Sequence, residues 1–378
     1  MRIVQFIDSM TYGGAESVVC NTACEMKRQG MDVSVMCFSI KRGTAHEDRL
    51  KDSGIETVFL AEDCLKALGL GDRRDSKLRF LAQILLSVHF FRKRIKELNP
   101  DVLHMHLDGL IFYPFIPAKL RKNMEFFWTS HSKTDEIFKG LIGSLRKIIL
   151  SAHSEIKIFV LNENDAIAVR NLLPKSNVDI IENGVSFRRF DNAEANRREV
   201  REMLNIPADS LVIGHVGRFG KLGEPVKNQG MIVKIFDKIY EKRPDAYLIL
   251  VGGGELTEGL RKQLDEDEHT DRIIVLKDRD DVPRLMQAMD YFVFPSVYEG
   301  FPMTMVEAQI AGLKCIVSDA VTKEVALTKD ICFLSLKDSI ETWAEAVLSF
   351  KGADKPEYCL DNYNIENVVR KLYEVYSR

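Results

Sequence analysis

Short apolar segments alternate with longer amphipathic segments along most of this 378-residue chain. A first series runs from Ile3–Ile7 to Val178–Ile181, and the pattern restarts at Val212–Val216 after a polar stretch over residues 187–210. Strand and helix patterns that alternate in this way predict parallel sheets connected by right-handed crossover helices. Because the series occurs twice, we expect an α/β protein with two doubly wound, Rossmann-like domains.

The polar stretch sets the predicted domain boundaries. We expect an N-terminal domain over residues 1–186, a C-terminal domain over 187–354 and a last segment over 355–378, in which Ile365–Tyr376 has a helical pattern. A chain of this length fits two domains. Ligands of doubly wound sheets bind beyond the carboxyl ends of the strands, so the residues that follow strands are the candidates for function.

Composition excludes several other classes of protein. The net charge of −3 is far less basic than that of a dedicated nucleic-acid binder. The longest apolar stretch, residues 80–91, contains polar residues and is too short to span a bilayer. The seven cysteines are scattered without a Cys-x-x-Cys pair, which is typical of reduced thiols. We therefore predict a cytoplasmic protein that does not bind nucleic acid.

Glycines and histidines follow predicted strands of the first domain. Gly13 and Gly14 lie between the first strand and a helix, where glycine permits positive φ and close approach of a ligand, although a purely structural turn is the alternative. His104 and His106 share a strand face and could chelate a metal, but polar lining or packing is the interpretation that we favour. His131 follows another strand and is a candidate for substrate contact.

A basic pair follows the first strand of the second domain. Arg218 and Lys227 lie on a glycine-interrupted loop that leads into a helix. Two cations beside a helix N-terminus suit a diphosphate, because the arginine fork grips two oxygens and lysine adds a point charge. Gly252, in the glycine triplet after the next strand, is a candidate backbone wall of the same pocket. The alternative is a pair of solvated surface cations.

Two glutamates flank the start of a predicted helix after the strand Tyr291–Phe294. Pro302 suits the first helical position and Gly312 the C-terminal stop. Glu299, ahead of the helix, can hold a sugar hydroxyl, and Glu307, inside it, can bind the paired hydroxyls of a ribose. The helix N-terminus between them favours phosphate oxygens. The alternative is one loop glutamate and one ordinary helix glutamate.

Five motifs, taken together, resemble the retaining nucleotide-sugar glycosyltransferases of the GT-B fold, specifically glycosyltransferase family 4 and its capsule- and exopolysaccharide-building branch. The Glu-x7-Glu signature of that family corresponds to Glu299–Glu307. The other motifs are Gly217-Arg218-Phe219 with Lys227-Asn228, Asn183-Gly184-Val185, Gly13 to Glu16, and Asp281-Val282-Pro283. The match keeps its order over nearly the whole chain and is most specific over residues 214–319. It implies two domains that face each other across a deep cleft.

The resemblance also implies roles for individual residues. Arg218 and Lys227 would neutralise the donor diphosphate, Glu299 would contact the transferred sugar near its 3-hydroxyl, and Glu307 would hold the ribose. His131 would touch the sugar from the N-terminal domain, and with Arg218, Lys227 and Glu299 it forms the implied catalytic set. The other implied donor-binding residues are Gly14, Gly252, Arg279, Gly300, Phe301, Met303 and Thr304. No metal and no further cofactor are implied.

The chain departs from the family pattern at two positions. Lys277 stands where relatives usually have glycine, which weakens the inference that Arg279 selects the base, and Pro302 stands at a position that is often glycine and has no N–H to give. Residues 278–281 also contain Asp-x-Asp, the metal-binding signature of the other large glycosyltransferase fold. We expect Asp281 to cap a helix instead, with Pro283 in its first turn.

The predicted reaction is transfer of a hexose or N-acetylhexosamine from a nucleoside-diphosphate sugar, with a UDP-sugar favoured, to a lipid-linked glycan acceptor in surface polysaccharide synthesis. No residue is an obvious nucleophile for the far face of the sugar, so front-face attack through an oxocarbenium-like state is favoured. Two alternatives stay open: a nucleotide-sugar epimerase or other GT-B enzyme, and a non-catalytic nucleotide-sugar-binding protein.

A long helix in the first domain suggests peripheral contact with an anionic membrane. Basic residues flank the predicted helix Lys77–Leu98 on both sides, and apolar residues form a stripe along it. The basic residues are Arg73, Arg74, Lys77, Arg79, Arg92, Lys93, Arg94 and Lys96, and the stripe is Leu78, Leu81, Leu85 and Val88. A helix on a membrane surface has this pattern. Packing against the sheet is the alternative that we favour for the helix itself.

Overall fold

The computed structural model describes residues 1–11, 13–41, 43–67, 77–132, 134–220, 224–352 and 360–378, with the side chains of residues 77–85 and 224–225 left out. The chain divides into two compact units. Unit 1 comprises Met1–Gly184 and Asn362–Arg378, and unit 2 comprises Val185–Asp361. The division falls two residues before the predicted boundary at 187.

Unit 1 contains a seven-stranded parallel sheet of order β3-β2-β1-β4-β5-β6-β7. Its strands are β1 (Arg2–Ile7), β2 (Asp32–Cys37), β3 (Glu56–Phe59), β4 (Val102–His106), β5 (Glu125–Thr129), β6 (Ile156–Val160) and β7 (Asn177–Ile180). Five of the six residues of β1 are buried, as expected for a central parallel strand that is covered on both faces. The order places the carboxyl ends of β1, β4 and β5 side by side.

The helices of unit 1 connect these strands. They are α1 (Gly14–Arg28), α2 (Ala45–Asp52), α3 (Leu60–Ala67), α4 (Lys77–Leu98), α5 (Ala118–Arg121), α6 (Thr134–Ile137), α7 (Gly140–Ala152) and α8 (Glu163–Leu172). A 3₁₀ segment, Leu107–Phe115, follows β4. Apolar side chains of the sheet and of the helices on it form two buried clusters. One includes Phe6, Phe91 and Trp128, and the other includes Ile7, Phe127 and residues of the C-terminal helix.

Unit 2 repeats the architecture with a six-stranded parallel sheet of order β10-β9-β8-β11-β12-β13. Its strands are β8 (Val212–Val216), β9 (Tyr247–Gly252), β10 (Ile273–Lys277), β11 (Tyr291–Phe294), β12 (Lys314–Ser318) and β13 (Ile331–Leu334). Its helices are α9 (Ala193–Met203), α10 (Glu224–Lys227), α11 (Gln229–Tyr240), α12 (Glu258–Asp265), α13 (Val282–Gln287), α14 (Met303–Ile310) and α15 (Ile340–Ser349). Phe236 and Trp343 lie in its core.

The last helix, α16 (Ile365–Tyr376), belongs to unit 1. Its buried residues Val368, Val369 and Leu372 pack in the same cluster as Ile7 of β1. The packing of Ile365 also explains why residue 184, the last residue of the first segment of unit 1, is glycine. A Cβ on Gly184 would lie 2.3 Å from the Ile365 side chain. The predicted α/β fold with two doubly wound parallel sheets is thus confirmed.

Candidate active site

Three neighbouring loops at the carboxyl edge of the unit 2 sheet carry most of the predicted donor-binding residues. The strand order places β9, β8 and β11 next to one another. Arg218 follows β8, Gly252 ends β9, and Glu299 follows β11. This edge is where open α/β sheets bind their ligands.

Lys227 and Glu299, 72 positions apart in sequence, meet directly. The Lys227 Nζ lies 2.6 Å from Glu299 Oε1, and the two side chains are only 18% and 12% exposed. Lys227 Nζ also lies 5.1 Å from the centre of the Phe294 ring, within the range of a cation–π contact. The predicted cation and the predicted sugar-binding carboxylate therefore share one half-buried position.

A sharp turn between two helices sets the position of Lys227. It ends the single turn α10, and Asn228 adopts the left-handed conformation with φ of 57° before α11 begins. Asparagine tolerates this conformation better than most residues do. The Asn228 side chain donates to the carbonyl of Pro295, 3.3 Å away on the loop that follows β11. The turn is thus tied to the loop that carries Glu299.

Close packing explains why position 252 is glycine, which the sequence pattern did not indicate. A Cβ at this position would lie 2.1 Å from the carbonyl oxygen of Gly217 and 2.9 Å from the Phe219 ring. The two loops are joined by hydrogen bonds from Gly217 N to Val251 O and from Phe219 N to Gly253 O. Glycine therefore allows the loop of Arg218 to lie against the end of β9.

The guanidinium of Arg218 is exposed, and its backbone is held in place. Gln229, which is fully buried, donates from Nε2 to the Arg218 carbonyl at 3.1 Å. His215 supports the same region from β8: it is fully buried, bonds the Val293 carbonyl through Nδ1 and stacks on Phe294. Burial lowers the pKa of His215 to about 3. Sequence reasoning missed Gln229 and His215, because a single polar residue in an apolar strand or helix has no distinguishing pattern.

Helix α14 begins one residue later than predicted. Its first residue is Met303, and Pro302 occupies the N-cap position without a side-chain cap bond. The backbone N–H groups of Met303 and Thr304 are in the first turn, where no intrahelical acceptor is available. Gly300 and Phe301 precede the helix, and a Cβ on Gly300 would meet nothing within 4 Å. Gly312, with φ of 77°, follows the helix end at Ala311, as predicted.

Glu307 lies on the second turn of α14. Burial raises the pKa of its carboxyl group to about 7, and the charge of Arg189 opposes the shift. No hydrogen bond or ion pair holds this carboxylate among the described residues. A half-buried acceptor of this kind suits hydroxyl donors, because they relieve the cost of desolvation.

Arg279 is engaged by a neighbouring carboxylate. Its Nε and Nη2 donate to the two Asp281 oxygens at 2.8 and 2.6 Å, and this pairing lowers the pKa of Asp281. Asp281 occupies the N-cap position of α13, as predicted, but its side chain pairs with Arg279 and makes no capping hydrogen bond. Pro283 does lie in the first turn of α13. Within the Asp-x-Asp sequence, Asp278 Oδ1 accepts from Gly254 N, and the backbone carbonyl of Asp280 accepts from Arg189 Nη2.

In unit 1, the glycine turn uses ordinary backbone conformations. Gly13 is extended, with φ of −130°, and Gly14 is the first residue of α1, so neither residue uses the positive φ that glycine permits. A Cβ on Gly13 would lie 2.1 Å from Glu16 Oε2, so the Glu16 side chain would have to shift to admit it. The Glu16 carboxylate accepts from Thr11 in the structure. Gly14 is open, with nothing within 4 Å of an added Cβ.

His131 lies immediately beyond β5 in the left-handed conformation, with φ of 57°. Its Nε2 lies 2.8 Å from His106 Nδ1, and the two rings are stacked. Burial lowers the pKa of His131 to about 4, so the ring is neutral at physiological pH. Its Nδ1 is buried and has no hydrogen-bond partner among the described residues.

His104 and His106 form hydrogen bonds within the core. His104 contacts Tyr376 Oη at 2.6 Å and Thr129 Oγ1 at 2.7 Å, and His106 contacts Gln5 Oε1 at 2.6 Å. No group of three or more His, Cys, Asp or Glu side chains in the described part of the chain is arranged to hold a metal ion. The alternative that we favoured for these histidines, polar packing, accounts for their contacts.

Helix α4, for which packing against the sheet was favoured over contact with a membrane, is only partly described. Arg73 and Arg74 lie outside the described residues, as do the side chains of residues 77–85. Arg94 of α4 forms a bidentate pair with Asp63, so it packs against a neighbouring helix rather than projecting freely. No helix among the described residues is long and apolar enough to cross a membrane.

Helix α7 instead presents an apolar surface. Four of its aliphatic side chains are exposed by 40 to 88%, and the helix contains no acidic residue. We call these residues, Leu141, Ile142, Leu145 and Ile148, the α7 apolar face. Lys139 and Lys147 are exposed beside it. Monomer surfaces rarely concentrate large aliphatic side chains in this way without a partner.

Comparison with known proteins identifies the family. Residues 12–189 match the family described as Glycosyltransferase Family 4, and residues 210–350 match Glycosyl transferases group 1. The two matches together cover most of the chain, and the protein therefore belongs to the GT-B glycosyltransferases of family 4.

Individual relatives agree with this assignment. The putative glycosyltransferase EpsF of Bacillus subtilis is 25% identical over 363 residues, which cover 94% of this chain and 89% of EpsF. The UDP-Gal:alpha-D-GlcNAc-diphosphoundecaprenol alpha-1,3-galactosyltransferase of Escherichia coli is 27% identical over 375 residues, covering 93% and 90% of the two chains. The crystal structure of Anabaena HepE in complex with UDP-glucose matches with a TM-score of 0.72 at 16% identity, covering 100% and 99%. This structural likeness confirms the GT-B fold.

Proposed function

We propose that this glycosyltransferase transfers a hexose or N-acetylhexosamine from a UDP-sugar to a lipid-linked glycan acceptor, with retention of anomeric configuration, in surface polysaccharide synthesis. The observation that carries the proposal is the contact between Lys227 and Glu299, which places a cation and a carboxylate at the carboxyl edge of the unit 2 sheet. The order of motifs over two family matches supports the same reaction class.

The donor assignment combines charge and backbone geometry. Arg218 and Lys227 neutralise the diphosphate, and the N–H groups of Met303 and Thr304 approach it at the start of α14. Glu307 accepts hydrogen bonds from the ribose, while Arg279, Gly252, Gly300 and Phe301 line the nucleotide and sugar. A UDP-sugar is favoured because the E. coli relative is named for UDP-Gal and HepE was crystallised with UDP-glucose.

The reaction needs no metal in this proposal. The cations of Arg218 and Lys227 stabilise the negative charge that develops on the leaving diphosphate. Glu299 contacts the transferred sugar, and His131 and Gly14 of unit 1 complete the set of donor contacts. Front-face attack by the acceptor hydroxyl, with its proton passing to the leaving phosphate, accounts for retention without a protein nucleophile.

The acceptor assignment rests on the relatives and on the α7 apolar face. The E. coli relative is named for an acceptor with a diphosphoundecaprenol lipid, and a lipid-linked acceptor resides in a membrane. An apolar helix surface flanked by Lys139 and Lys147 suits peripheral contact with an anionic bilayer. We therefore place the membrane contact on α7 rather than on α4.

The test is a transfer assay with purified protein, a panel of UDP-, GDP- and ADP-sugars and a lipid-diphosphate-linked sugar acceptor, with chelator present. Product formation only when both donor and acceptor are present, and with the α-anomer retained from an α-linked donor, would support the proposal. Conversion of donor alone into another nucleotide sugar would identify an epimerase. Donor binding without turnover on any acceptor would identify a binding protein, and a requirement for metal would overturn the metal-independent scheme.

A further inference from the structure

A chain of hydrogen bonds runs through the core of unit 1 and ends at His131. It starts at Tyr376 on α16, continues through Gln5 on β1 and His106 on β4, and reaches His131 beyond β5. The distances are 3.5 Å from Gln5 Nε2 to Tyr376 Oη, 2.6 Å from Gln5 Oε1 to His106 Nε2, and 2.8 Å from His106 Nδ1 to His131 Nε2. Gln5 and His106 are 0% and 4% exposed.

The side-chain amide of Gln5 sets the direction of this chain. Its nitrogen faces the Met26 sulfur at 3.7 Å and the Tyr376 hydroxyl at 3.5 Å, while its oxygen faces His106. A thioether sulfur accepts hydrogen bonds and cannot donate one, so the amide nitrogen belongs on the Met26 side. The oxygen can then only accept, which requires the proton of His106 to be on Nε2.

The proton positions of the next ring follow. Burial lowers the pKa of both His106 and His131, so each ring is neutral and carries one N–H. Since the proton of His106 is on Nε2, its Nδ1 accepts, and His131 must donate from Nε2. The remaining nitrogen, His131 Nδ1, carries a lone pair, and it is the buried atom without a partner among the described residues.

The second branch of the network has the same direction. Tyr376 Oη accepts from Gln5 and donates to His104 Nδ1 at 2.6 Å, and His104 Nε2 donates to Thr129 Oγ1 at 2.7 Å. Burial lowers the pKa of His104 to about 3, so this ring is neutral as well. Reversing these hydrogen bonds would place the Gln5 oxygen against the Met26 sulfur, which has no proton to donate to it.

We propose that Gln5 and His106 are positioning residues that hold His131 as the Nε2–H tautomer, so that its Nδ1 accepts a hydrogen bond from a hydroxyl group of the sugar. The ligand class rests on the proposed function, whereas the tautomer follows from unit 1 alone. A lone pair at this position selects a neutral hydroxyl donor and disfavours a carboxylate or phosphate oxygen. Because Tyr376 is the first member of this series of hydrogen bonds, α16 contributes to the protonation pattern of His131, which is far from it in sequence.

The direct test is long-range ¹H–¹⁵N NMR of the full-length, deuterated protein with ¹⁵N-labelled histidine, with His131 assigned by comparison with His131→Gln. We expect a protonated Nε2 and an unprotonated Nδ1 for His131 in the absence of substrate. A proton on Nδ1 of His131, or a charged ring at neutral pH, would overturn the inference.

Two variants of Gln5 distinguish its proposed effect on the His131 tautomer from the effect of simply filling space in the core. Gln5→Met has nearly the shape of glutamine but offers His106 only a thioether sulfur, a weak acceptor, in place of the amide oxygen. The His131 tautomers should therefore mix, and kcat/KM should fall by roughly tenfold, a typical loss for a broken buried hydrogen bond. Gln5→Glu still accepts from His106 and should restore the single tautomer relative to Gln5→Met. Thermal unfolding identifies a variant that fails to fold. A Gln5→Met protein with the wild-type tautomer would refute the role of Gln5.

The same experiments distinguish this inference from the proposed function. If the tautomer is the expected one and responds to Gln5, but no sugar is transferred from any donor, then the proposed function fails and the positioning chain stands. If sugar transfer proceeds and His131 has the opposite tautomer, then the positioning chain fails and the proposed function stands.

Discussion

The pairing of Lys227 with Glu299 means that each of the two charges already has a partner before a donor binds. Under the proposed function, a diphosphate that approaches Lys227 would compete with the carboxylate and leave Glu299 available for the hydroxyls of the transferred sugar. In the proposed reaction, the ion pair would therefore couple diphosphate binding to sugar recognition. Its half-buried position strengthens the coupling, because screening by water is weaker there.

Glu299→Gln should separate diphosphate binding from recognition of the transferred sugar. Without the negative charge, Lys227 is freer to bind phosphate, so the affinity for UDP should be unchanged or increase. The loss of the carboxylate at the sugar should lower kcat by about 100-fold or more, as for other groups that stabilise a developing charge. Calorimetry with UDP and a transfer assay measure the two quantities. Lys227→Met is the matched control, for which UDP binding should weaken; a Glu299→Gln enzyme with normal kcat would contradict the assigned role.

Glu307 should make donor binding depend on pH. Because burial raises its pKa to about 7, the carboxyl is roughly one-tenth ionised at pH 6 and nine-tenths at pH 8. If the ionised form accepts from the ribose, UDP affinity should rise by up to roughly ninefold over this range. Calorimetry at several pH values gives the slope. Glu307→Gln corrects for titration of UDP itself, and an equally steep slope in that variant would contradict the assignment.

At the scale of elements, the sequence predicted most strands and helices, because the β-to-α rhythm depends on local periodicity. β8, β11, α4 and α16 have the predicted bounds. Local patterns also placed Glu299 on a loop and Glu307 inside a helix. They could not predict the Lys227–Glu299 pair or the network of His106, since each depends on long-range packing between elements. The pairing of Asp281 with Arg279 joins residues only two positions apart, but it depends on the conformation of the loop between them, which periodicity does not specify.

The close approach of two loops gives a prediction at this scale. In Gly252→Ala the new methyl group would collide with the Gly217 carbonyl, 2.1 Å from the ideal Cβ, so the loop of Arg218 must shift. We expect a loss of about 1–3 kcal/mol in the free energy of unfolding, typical of overpacking, together with weaker UDP binding. Urea denaturation and calorimetry measure these two changes.

Gly259→Ala is the matched control for that variant. This glycine lies in α12, where an added Cβ would meet its nearest neighbour at 3.9 Å. Alanine inside a helix should raise stability by about 0.5–1 kcal/mol and leave UDP binding unchanged. If the two variants had the same free energy of unfolding and the same UDP affinity, then the close approach of the loops would not be the reason for glycine at position 252.

At the scale of the whole molecule, the exposed α7 apolar face is the surface on which the proposed membrane contact can be tested. Helix α7 buries Ile149 and Leu150 but leaves Leu141 88% and Ile148 64% exposed. Packing within unit 1 therefore covers only one side of the helix. Its inward side is fixed independently, since Arg146 pairs with Asp108 beyond β4. The outward side can therefore enter a lipid headgroup layer without unfolding the unit.

Leu141→Gln combined with Ile148→Gln should remove this attachment while preserving the fold, because both side chains are exposed. We expect the wild-type protein to co-sediment with vesicles that contain phosphatidylglycerol more than with pure phosphatidylcholine, and to lose binding as salt rises, because Lys139 and Lys147 contribute through charge. The double variant should sediment poorly with either vesicle. Ile167→Gln, at a position 49% exposed on α8, is the matched control and should bind as the wild type does. If the double variant binds anionic vesicles as well as the wild type, then α7 is not the contact surface, and transfer to a lipid-linked acceptor must rely on another part of the chain.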